Sequence, residues 1–176
     1  MTSMKRHLSV VVLLFSSTAV AHAASIPSTT GTTLDGKSIV LPRDLAPQAT
    51  VLILGFTQHS QASTTAWEKA VRANLSTPGI SYFDIPFLED APRFVRPMIL
   101  RAIRKQVPDI VKPRFLPLTT NEAAWKQASG FSTADPDAAY VVLVDRSGTI
   151  HWQTHEPLSP ALMAQLTQAA HALPNH

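Results

Sequence analysis

Between Val51 and Ile85 the chain passes from one apolar run to another through a single helical pattern, and that order permits few architectures. Val51 to Phe56 (VLILGF) is apolar at successive positions, so a strand there buries both faces, as at the centre of a sheet covered on two sides. Thr57 to Ser63 is a polar loop. From Thr65 to Leu75, Ala66, Trp67, Ala70 and Val71 recur at helical spacing, and Pro78-Gly79 ends the pattern. Ile80 to Ile85 reads as a second central strand. The unit predicted is β-α-β with parallel strands, and hence an α/β domain.

The flanking stretches extend this unit. Asp35-Gly36 is a hairpin turn between two short extended segments, the second being Ser38 to Leu41, and Asp44-Leu45 is a further turn. Downstream, Thr119-Thr120-Asn121-Glu122 has the form of a capping box opening a short helix that Gly130 closes. Tyr140 to Val144 is a strand, Asp145 to Gly148 a tight turn, and Thr149 to Gln153 an antiparallel return. Ser159-Pro160 caps a last helix whose apolar face is Leu162, Leu166, Ala169, Ala170 and Leu173. Trp67, Trp125 and Trp152 are packing residues.

The first residues belong to a different category. Lys5, Arg6 and His7 precede a short apolar stretch, Leu8 to Phe15, and Ala21-His22-Ala23 has the small-x-small form of a signal-peptidase site. The apolar stretch is shorter than the roughly 20 residues a membrane span requires. The expected organisation is a cleaved signal peptide over 1–23 and one globular domain over 24–176, exported to a bacterial periplasm. Removing Lys5 and Arg6 from the 15 basic residues leaves 13 against 12 acidic ones, which carries no nucleic-acid signature. The distribution is uneven. Residues 93 to 114 hold Arg93, Arg96, Arg101, Arg104, Lys105, Lys112 and Arg114 against Asp109 alone, so the remainder of the domain is net acidic.

TTLDGKSIVL, RDL and VLILGF before a loop and helix, followed later by AAYVVLVDRSGTI, resemble the periplasmic TlpA/redoxin-like branch of the thioredoxin-like superfamily over nearly the whole of the domain. The resemblance implies a thioredoxin-like fold: a central mixed sheet flanked by helices, with an N-terminal β-hairpin and here a helical insertion over 89–114. It also implies a redox site that this chain does not carry. Thiol–disulfide exchange needs a thiolate at a helix N-terminus and a second thiol to resolve the mixed disulfide. By spacing from Phe56 those positions are Gln61 and Thr64, and the chain has no cysteine at all. The cis-proline that faces the thiols in the superfamily falls on Ala139. The expectation is a redox-inactive domain with vestigial redox positions at Gln61, Thr64 and Ala139.

Histidines offer the competing chemistry. His59 stands beside Ser60 in the loop, with no carboxylate evident to orient it as a triad requires. His151 and His155, on one face of a continued strand, could join His59 around a metal. Solvated histidines are the simpler expectation, and neither a cofactor nor a small-molecule substrate is anticipated.

The basic insertion is the remaining feature. At helical spacing Val95, Met98, Ile99, Ala102 and Ile103 fall on one side, expected to pack on the core. Arg93, Arg96, Arg101, Arg104 and Lys105 fall on the other. Pro92 suits a first turn, and Pro97 is expected to delay or kink the helix. One-sign patterning suits an anionic membrane surface or an acidic membrane-protein partner. Ile103-Arg104-Lys105-Gln106-Val107-Pro108, with Ala139-Tyr140-Val141 running to Asp145, resembles the mitochondrial ATP synthase assembly factor family, thioredoxin-like proteins without the redox pair. That second resemblance implies a membrane-proximal, chaperone-like assembly role.

Overall fold

The computed structural model describes residues 24–174, so the expected signal peptide lies outside the described residues. β1 (Thr29–Thr32) and β2 (Ser38–Leu41) form an antiparallel hairpin. β3 (Ala49–Gly55), β4 (Ile80–Pro86), β5 (Tyr140–Val144) and β6 (Ile150–Thr154) form a mixed sheet in the order β4-β3-β5-β6. β3 pairs in parallel with β4, as the β-α-β pattern requires, and antiparallel with β5, which in turn pairs antiparallel with β6. Four α-helices accompany them: α1 (Gln61–Asn74), α2 (Arg96–Gln106), α3 (Glu122–Ala128) and α4 (Pro160–Ala172).

Every residue of β3 is buried, and its two faces feed two different cores. Val51 and Ile53 point toward Trp67 and Val71 of α1 and Met163, Leu166 and Ala170 of α4. Leu52 and Leu54 point the other way, toward Ile39 and Leu41 of the hairpin, Leu116, Leu118 and Trp125. The two-residue side-chain period of a strand makes this division unavoidable once both faces are covered. Trp67 and Trp125 are fully buried and Trp152 is half-buried, as expected of packing residues. The hairpin lies so close to Leu116 and Leu118 that a Cβ on Gly31 would come within 2.8 Å of both side chains.

Three local expectations are corrected. α1 begins at Gln61, four residues before Thr65, because the Thr57 hydroxyl caps a 3-10 turn over Gln58–Ser60 that runs directly into it. Those first helical residues carry no apolar stripe, so periodicity could not register them. The capping box is absent: α3 starts at Glu122, but Asn121 is left-handed (φ 66°) and gives no side-chain cap. The helix is capped from a distance instead, Glu89 Oε2 accepting from the Glu122 N–H at 2.6 Å. The antiparallel return begins at Ile150 and ends at Thr154. The Ser159 cap is as expected, its Oγ accepting from the Leu162 N–H at 3.2 Å ahead of Pro160.

After β4 the chain leaves the sheet at Glu89 and returns as Phe115 to Leu118. Phe115 and Leu118 bridge in parallel to Asp84 and Phe87, and the Leu116 and Leu118 amides donate to the Asp84 and Pro86 carbonyls at 2.8 and 3.0 Å. The outer edge of β4 is thus covered by the chain coming back from the insertion, which anchors that insertion at both ends.

Candidate functional site

Two regions carry the sequence-derived candidates, and the first is the C-terminal end of β3 where α1 begins. Thr57 Oγ1 accepts from the Ser60 N–H at 3.2 Å, and Ser60 Oγ donates back to the Thr57 carbonyl at 2.7 Å. Thr64, 6% exposed, donates its hydroxyl to the Gln61 carbonyl at 3.2 Å. Gly55 passes so close beneath that a Cβ there would stand 2.6 Å from Ser60 Oγ and 3.1 Å from Thr64 Cγ2. Gln61 is exposed at the first residue of the helix. Ala139, almost fully buried, lies across from this turn, and its N–H donates to Ser63 Oγ at 3.1 Å. A proline has no N–H to satisfy; an alanine in its place does, and Ser63 supplies the acceptor. The structure thus brings Ala139 against the first turn of α1, which also carries Gln61 and Thr64. Ser60 and Ser63 belong to it too, although nothing in their spacing distinguished them from loop serines.

Chemically the site is quiet. The chain contains no thiol, and the Ser60 and Thr64 hydroxyls are turned inward onto main-chain carbonyls. His59 faces solvent while Ser60 is buried, so the two do not form a nucleophile–base pair. A carboxylate stands near His59, at a distance too long for a hydrogen bond that would orient it. His59 Nδ1 lies 3.9 Å from Asp137 Oδ1, an atom already held by the Thr57 hydroxyl at 2.6 Å.

The other histidines are dispersed. His151 Nε2 meets Asp145 Oδ2 at 2.8 Å beside the β5–β6 turn. Partial burial pushes the Asp145 carboxyl up, but hydrogen bonds from His151, Ser147 and the backbone N–H groups of Thr149 and Ser147 outweigh it and bring its pKa to about 2. His155 stacks on Tyr140 at 5.4 Å, with Nε2 3.8 Å from Asp135 Oδ2. His59, His151 and His155 thus each stand beside a different aspartate. Among the described residues no group of three or more His, Asp or Glu side chains is placed to hold a metal ion.

Under α1 lies a pair of buried carboxylates that sequence reasoning did not single out. Glu68 accepts from Arg72 Nε and from the Tyr82 hydroxyl, both at 2.9 Å. Burial raises the Tyr82 phenol, and the hydrogen bond and charge of Glu68 raise it further. Asp84, next but one along β4, is pushed up to about 7 by burial and by the Glu68 charge. A single charged residue inside an apolar run such as ISYFDIP was the available signal.

The second region is the insertion. α2 has no buried residue. The expected apolar stripe is rotated: Val95, Ile99, Leu100, Ile103 and Val107 are half-buried, whereas Met98 is 63% exposed and Ala102 is exposed. Arg96, expected on the exposed basic side, is half-buried. Its guanidinium donates to the Ala91 and Glu89 carbonyls at 2.9 and 2.7 Å, clamping the lead-in turn back onto the first turn of α2. Pro92 lies in that lead-in turn, while Pro97 is the second residue of the helix, a first-turn position where its missing N–H costs no intrahelical bond. Arg93, Arg101, Arg104 and Lys105 remain exposed, with no acidic side chain in ion-pair contact among the described residues. Lys112 pairs with Asp109, and Arg114 donates to Ser81.

A mixed sheet in the order β4-β3-β5-β6, a β-α-β crossover whose helix starts at the sheet's end, and a terminal β-hairpin define a thioredoxin-like fold, here without cysteine. No family model and no curated protein matches the chain. Solved structures do. The thioredoxin domain of a thiol-disulfide oxidoreductase from Bacteroides vulgatus is similar at TM-score 0.56 and 16% identity, covering 85% of this chain and 98% of that one. The exposed lipoprotein thioredoxin of Streptococcus pneumoniae aligns at TM-score 0.58 and 8% identity over 81% and 98%. StoA from Bacillus subtilis aligns at 0.53 and 11% over 83% and 98%. At such identities the likeness establishes the fold. Among the described residues no helix is long and apolar enough to cross a membrane.

Proposed function

We propose that this chain is a redox-inactive thioredoxin-fold protein of the periplasm that acts beside the membrane as an interaction and assembly factor. The observation that carries the reading is the insertion: Arg93, Arg101, Arg104 and Lys105 lie exposed and unpaired on a segment none of whose helical residues is buried. Repelling cations on a solvated face cost stability, and an anionic partner offsets that cost. The hydroxyl-lined turn at Gln61 and Thr64 supports the same reading from the other side, because the Ser60, Ser63 and Thr64 hydroxyls are spent on holding the backbone. The resemblance of Ile103 to Pro108 to the ATP synthase assembly factors suggests the client class, a multi-subunit membrane complex.

The test is co-sedimentation of the purified domain with membranes, with photo-crosslinking from position 101. Arg96 has a clamping role, so the informative variant is Arg93→Glu, Arg101→Glu, Arg104→Glu. It is expected to remain folded and to lose membrane association. A folded triple variant that still sediments as the wild type does would remove the support for this role. Turnover of insulin disulfides by the cysteine-free protein would contradict its redox-inactive part.

A further inference from the structure

We infer that the outward face of the insertion is a lipid-inserting surface, in which Phe94 and Met98 enter the headgroup–acyl boundary of an anionic bilayer while the neighbouring cations bind its phosphates. This rests on the membrane-proximal reading above and names its ligand. Phe94 is 86% exposed and Met98 63% exposed, among the few large apolar side chains left in solvent by a domain that otherwise buries them. They lie four residues apart, Phe94 in the helical turn that leads into α2 and Met98 in its first turn.

At about 100° per residue, Met98, Arg101, Ala102 and Lys105 share one side of α2, opposite the half-buried Arg96, Ile99, Leu100 and Ile103. The apolar and cationic groups are therefore interleaved on one exposed face rather than separated. That arrangement distinguishes between occupants. A second copy of this chain would bring the same cations against themselves. An acidic protein would satisfy the arginines but gives no reason for a solvent-facing phenylalanine between them. An anionic bilayer offers phosphates and, a few ångströms deeper, hydrocarbon, and so complements both kinds of group at once. The other face of α2 is half-buried, and the Arg96 clamp at the lead-in turn and the two sheet bridges at the return tie the segment down at both ends.

The experiment uses the purified domain and vesicles of phosphatidylcholine, with and without phosphatidylglycerol. Wild type is expected to bind only the phosphatidylglycerol vesicles and to dissociate as salt rises. Phe94→Ser with Met98→Ser should keep the far-ultraviolet spectrum and melting temperature of the wild type, since both side chains are exposed, yet lose about tenfold or more in vesicle affinity. In a separate variant, Phe94→Trp, the emission should shift to the blue on binding and be quenched by brominated acyl chains. If the serine double variant binds as tightly as wild type, the attraction is charge alone and the insertion inference fails while the membrane role stands. Wild type that ignores lipid vesicles but binds native membranes would make the partner a membrane protein, with the same consequence. Self-association abolished by Phe94→Ser and Met98→Ser would identify a second copy as the occupant and overturn the inference. Binding to neither vesicles nor native membranes would remove both readings together.

Discussion

The Ala139 amide donates to Ser63 Oγ at 3.1 Å, joining the loop before β5 to the first turn of α1. It ties together the elements that carry Gln61, Thr64 and Ala139. Ser63→Ala leaves that N–H without its partner, next to an almost fully buried residue. The expected loss is about 1–3 kcal/mol of folding stability, the cost of an unsatisfied buried donor. Urea denaturation measures it, and a change within error would mean that water replaces the hydroxyl.

Gln61 stands exposed at the first residue of a 14-residue helix, where unpaired N–H groups concentrate positive potential. A thiol placed there by Gln61→Cys should ionise below the ordinary cysteine value of about 8.5. The pH dependence of its alkylation by iodoacetamide reports this directly. The single variant should still reduce no insulin, because a resolving thiol is missing at Thr64. An ordinary ionisation would indicate that the scaffold has lost the electrostatics of a redox site as well as its sulfur.

Asp84 provides a pH test. Its folded carboxyl is raised from 3.8 to about 7 by burial and by Glu68, so the folded protein holds a proton that the unfolded chain has released over that interval. Stability from this group is fully present below pH 3.8 and is lost as pH rises toward and through about 7. Asp84→Asn removes the titration. Relative to wild type, the variant should gain stability between pH 5 and pH 8, by a few kcal/mol at about 1.4 kcal/mol per pH unit. Parallel stability profiles for the two proteins would show that Asp84 ionises normally.

Glu89 links the insertion to α3 by accepting from the Glu122 N–H at 2.6 Å, while its own carbonyl accepts from Arg96. Glu89→Ala should cost about 1 kcal/mol, the usual effect of losing an N-terminal cap. It should also speed hydrogen exchange in α3 and in residues 89–96. Exchange that changes in α3 alone would show that the insertion is held by Arg96 without help from Glu89.

The order of strands and helices, the parallel β3–β4 pair, the hairpin and the absence of thiol chemistry were all legible before any coordinates, because each depends on local pattern. Apolar residues on both sides of VLILGF force a central strand, Pro78-Gly79 ends a helix wherever it stands, and a chain without cysteine cannot form a disulfide. Tertiary structure decided the rest. Glu89 replaces the apparent capping box because two segments 33 residues apart in sequence meet beside the sheet. Ser60 and Ser63 become parts of one site only when β3, α1 and β5 converge. The face that α2 shows to solvent was the least legible feature. Helical periodicity fixes which residues share a side, but the direction of that side is set by contacts with the body. Here Met98 stands outward, among the cations that were expected to stand alone, while Arg96 is half-buried and bonded to the lead-in turn.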